Sequence, residues 1–473
     1  MKVLFIASEC NPIAKVGGLG DVIGSLPKAL IELGCDVRIA IPKYRIIDEK
    51  KYSRKLIASN IPVKKKFINI YQSFLPESEV PIYLLENEEF FGQNDIYFEK
   101  TAFVSSFLEI KRFLFFSESI LEIFSALKWF PDIIHCNDWH TSATPLLLKL
   151  KKAEKKPKTL LTIHNLANQG KWNAKEILNF LDLKGNETKT LEIRDKNGDF
   201  NILQQGILNA DFLNTVSKKY KDEILTPEYG EGLEGCLMER KKYLFGILNG
   251  IDIKRFNPET DPDIENNYSF KNIERKKENK IDLQKNLTLL ENPKIPLFGI
   301  ISRLTDQKGI DLIINIIPEL VKLNCQLVIL GVGAKKYEDK LLKLFHKYPQ
   351  NISVQIKFDA VLAQKIYAGA DVFLMPSRFE PCGLGQMIAM RYGTIPIVRN
   401  IGGLSDTVKN KKTGFVFEEY DSKALLKSIK ETLKQYKDKN NWQEIIKRAM
   451  KEDFSWQKSA KDYLKLYKKL IKL

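Results

Sequence analysis

Short apolar runs alternate with stretches of helical periodicity along almost the whole chain, and this pattern restricts the fold more than any other feature. Strands are expected near 2–7, 36–41, 81–86, 132–135, 158–163 and 212–216 in the first half. The second half offers 296–302, 326–331, 352–358, 371–377 and 394–399, with helical patterns between them such as 310–323 and 360–370. Apolar runs separated by helices predict parallel sheets covered by helices on both faces, an α/β doubly wound architecture. At 473 residues the chain exceeds what one core accommodates, so two such domains are expected. The seam falls near "GILNGIDIKRFNPETDPD", 246–263, where Gly, Asn, Pro and Asp interrupt both periodicities. Two doubly wound domains are expected to face each other across a cleft at the carboxyl ends of their strands, where ligands of such folds bind.

Composition narrows the function. Hydrophobic residues make up 44% and charged residues 28%, the balance of a globular enzyme. The most apolar helix candidate, "FLFFSESILEIFSALKWF", is interrupted by Glu118 and Glu122 and reads as a core helix, not a membrane span. Strand-like sequence starts at Lys2, which leads to the expectation of a cytoplasmic protein without a leader. The net charge of +16 comes from lysines spread along the chain, with no arginine-rich groove or aromatic-interleaved basic patch. No nucleic-acid or membrane partner is therefore expected. Cysteines 10, 35, 136, 236, 325 and 382 show neither C-x-x-C nor metal-ligand spacing, the usage of reduced thiols.

Four constellations carry chemistry. In "KVGGLGDV" two glycines open a helix after a strand, with Lys15 two residues before Gly17, an arrangement that suits an anion. It is neither a dinucleotide fingerprint nor a Walker loop. "HCNDWH" (135–140) and "TIHN" (162–165) gather three of the four histidines, each expected just past a strand end, and point Asp138 and His164 towards the cleft. Their spacing fits no zinc signature, so no metal is assigned. In "ISRLTDQKGIDL", Arg303 and Lys308 flank a strand-to-helix turn and suit a diphosphate. In "PSRFEPCGLGQMIAMRYG", Glu380 occupies an exposed turn before a helix, and Cys382 reads as a lining residue, since no histidine lies near it in sequence. Each has a plain structural meaning when read alone: a tight turn, polar strand caps, surface cations. Together they lay basic groups and glycine turns at strand ends in both halves, with one carboxylate opposite, the layout expected for a phosphorylated donor held between two domains. A second Gly-Gly-Leu-x-Asp, "GGLSD" at 402–406, reads as a similar anion-holding turn.

These motifs resemble those of bacterial glycogen synthases and plant starch synthases. "SECNPIAKVGGLGDV", "HCNDWHT", "LTIHNLANQG", "ILNADFLNTVS", "GILNGID", "ISRLTDQKGIDL" and "PSRFEPCGLGQMIAMRYGTIPIVRNIGGLSDTV" run in the family's order from residue 3 to about 420. The resemblance implies a glycosyltransferase-B fold of two Rossmann-like domains: 1–247 on the acceptor side, 248–455 for the nucleotide sugar, and a last helix, 456–473, crossing back to the first. It implies retaining transfer of glucose from ADP-glucose to the non-reducing 4-OH of an α-1,4-glucan, elongating glycogen, with no metal or other cofactor. Lys15, Gly17 and Gly18 would contact the sugar donor's diphosphate, and domain closure would bring Lys15 and Arg303 onto one ligand. Arg303 and Lys308 would clamp the leaving ADP, and Glu380 would orient the glucose hydroxyls. The backbone carbonyl of His164 would face the anomeric centre, with Asp138 a nearby carboxylate. Cys382, Gly383, Leu384, Gly402 and Gly403 would line glucose and phosphate, and Phe358 would stack on adenine.

Some positions depart from the family's usual pattern. Gly385 and Ile401 stand where Thr is frequent, Phe358 where Tyr is frequent, and "GVGA" (331–334) where Gly-x-Gly-Asp is common. These bear on the affinity for the sugar donor and on base preference more than on the reaction. The alternatives left open are a relative using UDP-glucose or another acceptor, and a non-catalytic glucan-binding scaffold; the presence of every charged residue of the site argues against the scaffold.

Overall fold

β-Branched and leucine-rich runs at the expected registers pair into two large sheets in the computed structural model, which describes residues 1–52, 55–93, 95–97, 107–151, 156–184, 191 and 198–473. The chain divides into two compact units, residues 1–250 with 456–473, and residues 251–455.

The sheet of unit 1 is formed by β1 (Lys2–Ile6), β2 (Asp36–Pro42), β3 (Lys55–Val63), β4 (Lys66–Phe74), β5 (Pro81–Glu86), β6 (Ile133–Asn137), β7 (Lys158–Ile163), β10 (Phe212–Thr215) and β11 (Leu244–Gly246). β8 (Lys171–Asn173) and β9 (Asp199–Asn201) form a separate small ribbon. Strand order is β11-β10-β7-β6-β1-β2-β5-β4-β3. The chain leaves β1 towards β2 on one side and later returns as β6 on the other, so the topological switch lies between β1 and β6. All pairings from β11 to β5 are parallel. β3 and β4 extend the edge as an antiparallel hairpin that the apolar-run pattern does not announce. Its turn is "KK", with Lys64 at φ 52°, in place of the Gly or Asn that usually signals a hairpin.

The last helix, Trp456–Ile471, belongs to unit 1 and packs against helix Gly18–Glu32. Trp456, Ala460, Tyr463, Tyr467 and Leu470 recur at three- and four-residue spacing and are buried, while the intervening lysines face water. The dock also has a polar core. Tyr467 hydroxyl meets Nδ1 of buried His135 at 2.7 Å, His135 Nε2 meets Thr162 Oγ1 at 2.7 Å, and Asn214 donates to Tyr463 at 3.0 Å. Such buried groups are tolerated because they are bonded, and removing one partner strands the other at a cost of about 1–3 kcal/mol.

Unit 2 contains β12 (Leu297–Ile301), β13 (Gln326–Leu330), β14 (Ile352–Gln355), β15 (Val372–Met375), β16 (Ile395–Arg399) and β17 (Phe415–Phe417). Their order, β14-β13-β12-β15-β16-β17, is the 3-2-1-4-5-6 arrangement of a Rossmann sheet, parallel throughout. Its switch point lies between β12 and β15. Among the described residues, no helix is long and apolar enough to cross a membrane.

Candidate functional site

Each unit concentrates its chemistry in loops at the carboxyl ends of the strands at and next to its switch point. In unit 2 these are the turn after β12, with Arg303 and Lys308, and the turn after β15, with Glu380. The two turns are stitched together. Arg378 N–H donates to the Gln307 carbonyl at 2.8 Å, and Gln307 Nε2 reaches the Phe379 carbonyl at 3.4 Å. Gly309 sits at φ 71°, and a Cβ there would overlap the Pro376 carbonyl oxygen, so only glycine lets the turns approach this closely. The result is a nearly buried ion pair, Lys308 Nζ to Glu380 Oε2 at 2.6 Å, with Ser377 Oγ on the same carboxylate oxygen at 3.0 Å. Burial strengthens such a pair relative to one in water. Arg303 lies exposed, its guanidinium 3.4 Å from Gln307 Oε1, with no ion-pair partner among the described residues.

After Glu380 the chain turns through Cys382, Gly383 (φ 72°) and Leu384 into helix Gly385–Arg391. Gln386 folds back on this turn, donating to the carbonyls of Cys382 at 3.2 Å and Gly383 at 2.9 Å and to Thr407 Oγ1 at 3.1 Å. The Gly383 and Leu384 N–H groups have no partner among the described residues. Gly403 N–H donates to the Glu380 carbonyl at 3.1 Å, and a Cβ on Gly403 would overlap the Cys382 carbonyl. Gly403, next to Gly402, therefore buttresses the turn that carries Glu380. Phe358, past β14, is 90% exposed.

In unit 1 the loops after β1, β6 and β7 converge. Asn137 ends β6 and spans the switch point, donating to the Ile6 carbonyl at 3.1 Å while its Oδ1 lies 3.0 Å from His164 Nε2. Asp138 follows in a left-handed conformation, φ 55°, and turns its carboxylate inward. Oδ1 accepts from His164 N–H at 2.7 Å and from Asn165 N–H at 3.4 Å, so Asp138 holds the turn on which His164 sits. Burial pushes the Asp138 carboxyl up to about 7, against the pull of those two N–H donors. Burial also pushes the His164 imidazole down to about 3, so the ring is neutral.

The three histidines of unit 1 do not share a location. His135 lies within β6, in the core beneath the last helix, not past a strand end. His140 sits in the short Trp139–Thr141 turn, its ring 4.6 Å from that of Phe113. His140 and His164 both lie just past strand ends, as expected, and His164 is the one whose N–H bonds the Asp138 carboxylate.

The loop after β1 contains Lys15, Gly17 and Gly18. Lys15 Nζ pairs with Asp21 Oδ1 at 2.7 Å, one turn into the helix that Gly17 starts. Glu9, to which the sequence patterns assign no role, accepts from Val16 N–H at 2.7 Å and Gly17 N–H at 2.6 Å. Glu9, Asn137, Ser377 and Gln386 lie within the motifs, but nothing in their spacing marks whom they bond. Their partners are set by the packing of separate loops.

A parallel Rossmann sheet with a paired carboxylate and cations at its switch point, in a chain that also folds a second α/β unit, is the pattern of a two-domain glycosyltransferase of the GT-B architecture. Residues 2–239 match the family model described as the starch synthase catalytic domain, and residues 284–449 match that for glycosyl transferases group 1. The glycogen synthase of Thermotoga maritima is 44% identical over 491 residues, covering 100% of this chain and 99% of the relative. That of Lactobacillus acidophilus is 43% identical over 481 residues, with both chains covered in full (100%). A solved structure of the catalytic domain of starch synthase IV from Arabidopsis thaliana, bound to ADP and acarbose, superposes with a TM-score of 0.89 at 32% identity, covering 100% of this chain and 99% of that one. Sucrose-phosphate synthase from Thermosynechococcus elongatus shares the fold at a TM-score of 0.62 and 18% identity, covering 99% and 98%. The chain belongs to the glycogen synthase and starch synthase family.

Proposed function

We propose that this glycosyltransferase takes glucose from ADP-glucose and adds it, with retention at the anomeric carbon, to the non-reducing 4-OH of an α-1,4-glucan, in the cytoplasm and without a metal. The observation that carries the reading is the buried Glu380 carboxylate, held through Oε2 by Lys308 at 2.6 Å and Ser377 at 3.0 Å. Its Oε1 has no partner among the described residues and is the acceptor for a glucose hydroxyl. Arg303 and Lys308 hold the diphosphate and offset its charge as the bond from glucose C1 to phosphate oxygen breaks. A diphosphate departs as a stabilised anion, so the site needs cations more than a strong general base. Cys382 and the Gly383 and Leu384 amides line glucose and phosphate, Gly403, next to Gly402, supports that turn, and Phe358 offers its exposed ring to adenine.

In unit 1, Lys15 contacts the diphosphate as a point charge. The amide role divides between the two glycines: Gly17 N–H is engaged by Glu9, and Gly18 N–H is the one left for a ligand. His164 contributes through its backbone carbonyl at the anomeric centre, in keeping with a neutral ring, and Asp138 positions that turn. Unit 1 is assigned the glucan and unit 2 the nucleotide sugar. The relative solved with ADP and acarbose supports an adenine nucleotide and a glucan-like sugar as ligands here.

The test is incorporation of labelled glucose into glycogen from ADP-glucose and from UDP-glucose, with and without chelator. ADP-glucose should be the better sugar donor and chelator without effect. Glu380→Ala should lower kcat by about 10²–10³-fold. Preference for UDP-glucose would overturn the choice of sugar donor, and full transfer by Glu380→Ala would sink the site.

A further inference from the structure

Glu9 sits three residues beyond the end of Lys2–Ile6 and is 3% exposed. Its Oε2 accepts both Val16 N–H and Gly17 N–H, and its Oε1 accepts the Tyr97 hydroxyl at 2.6 Å, itself 2.8 Å from Ser8 Oγ. No cation pairs with Glu9 among the described residues. The helix that follows, Gly18–Glu32, has no side-chain cap from Gly17. The first N–H groups of a helix and its approach need an acceptor, and negative charge is favoured there. The chain supplies its own anion at Val16 and Gly17.

The glycines of "GGLG" divide accordingly. A Cβ on Gly17 would lie 3.5 Å from Glu9 Oε1, and one on Gly20 would lie 3.2 Å from both Glu9 Oε2 and Lys15 Cγ. Gly20 therefore gives room to the carboxylate and to the stem of Lys15, whose ammonium is tied to Asp21. A Cβ on Gly18 would meet nothing within 4 Å. Gly20 thus makes room for Glu9, a Cβ on Gly17 would touch it at ordinary contact distance, and Gly18 faces open space.

We infer that Glu9 is a positioning residue for glucosyl transfer: its carboxylate occupies the Val16 and Gly17 amides, sets the turn, and so places Lys15 and the Gly18 N–H for the sugar donor. The inference rests on the reading of Lys15 and Gly18 as contacts of that ligand. Without the carboxylate, two part-buried N–H groups lose their acceptor, and the turn that carries Lys15 and Gly18 loses the bonds that set it. Displacements of about 1 Å in positioning groups cost about 10²-fold in rate.

The experiment compares Glu9→Gln, Glu9→Ala, Lys15→Ala and the Glu9→Ala/Lys15→Ala double variant, reading kcat and the separate KM values for ADP-glucose and glycogen, with thermal unfolding as a control. Glu9→Gln keeps a carbonyl acceptor without the charge, and charge-assisted bonds are about twice as strong as neutral ones. It should fold normally and raise the KM for ADP-glucose about 3-fold. Glu9→Ala should lower kcat/KM for ADP-glucose by about 10²-fold, with the KM for glycogen unchanged. Because Glu9 acts through Lys15, the double variant should lose no more than about 3-fold beyond Lys15→Ala alone. If Lys15→Ala weakens use of ADP-glucose while the Glu9 variants do not, or if the two losses multiply, the inference is overturned and the reading of Lys15 survives. If Lys15→Ala itself has wild-type kinetics, that reading fails and the inference with it. Should Glu9→Ala not fold, the KM shift of Glu9→Gln decides.

Discussion

The turns at Gly17–Gly18 in unit 1 and Gly402–Gly403 in unit 2 share the letters Gly-Gly-Leu-x-Asp, and each opens a helix beyond a parallel strand. In unit 1 the turn closes around a side chain, the Glu9 carboxylate. In unit 2 it closes on backbone: Gly403 N–H bonds the Glu380 carbonyl, and its missing Cβ lets it lie against the Cys382 carbonyl. The same pattern therefore meets a movable acid in one place and an immovable peptide in the other. A carboxylate end can shift by a few tenths of an ångström to admit a methyl group, whereas a carbonyl locked into the turn of Glu380 cannot.

Substitution is the most forceful way to break this comparison. Gly403→Ala should destabilise unit 2 by about 3 kcal/mol or abolish its folding, since overpacking a site that cannot relax costs about 1–3 kcal/mol and sometimes more. Gly309→Ala should act likewise, adding left-handed strain to its overlap with the Pro376 carbonyl. Denaturant unfolding measures both, and wild-type midpoints would show that these turns yield after all.

A pH series tests the units at smaller amplitude. Burial holds His140 and His164 down to about 3 and His135 well below its ordinary value, so the unfolded chain binds three more protons at these sites as pH falls through 6.5. Burial raises Asp138 and Glu118 to about 7, so the folded chain binds two more between about pH 4.5 and 6.5. With three histidines set against two carboxyls the unfolded state takes up more protons, so these groups should make stability rise with pH across that window. In unit 2, burial lowers Lys276 to about 7, where its ammonium meets the Tyr367 and Ala368 carbonyls and Thr394. Its unfolded form stays protonated up to the ordinary lysine range, so its contribution to stability rises from pH 7 upward. A flat stability curve from pH 4.5 to 6.5 would contradict the assignment of neutral histidines.

The smallest effect is expected at Gly18. With open space around it, Gly18→Ala should change stability by less than about 0.5 kcal/mol, or stabilise slightly through helix propensity. Any effect should appear in the KM for ADP-glucose. A large loss of stability there would erase the contrast between Gly18 and its neighbours.

Much of the fold was legible because the burial pattern of a parallel strand is local: runs such as "KVLFI" and "QLVIL" are apolar at nearly every position. The β3–β4 hairpin was not, because lysines at 64–66 replace the usual turn residues and the edge strand is largely exposed. β17, three residues long, is too short to register as a run. At the candidate site, Lys308 and Glu380 could be picked out as residue types at strand ends. That they form one ion pair could not, because 72 residues separate them.

The amino-acid sequence alone determined the α/β class, the alternation of strands and helices, and which turns carry cations, carboxylates and glycines, since each follows from repeats of two to four residues along the backbone. Tertiary structure decided what those groups touch. Only the placement of β1, β6 and β7 side by side gives Asp138 to the His164 turn, and only the folding of Tyr97 and the glycine turn around Glu9 makes that carboxylate the resident anion. Hydrogen bonds and ion pairs form between loops that the order of strands in a sheet brings together, and that order is not written in local periodicity.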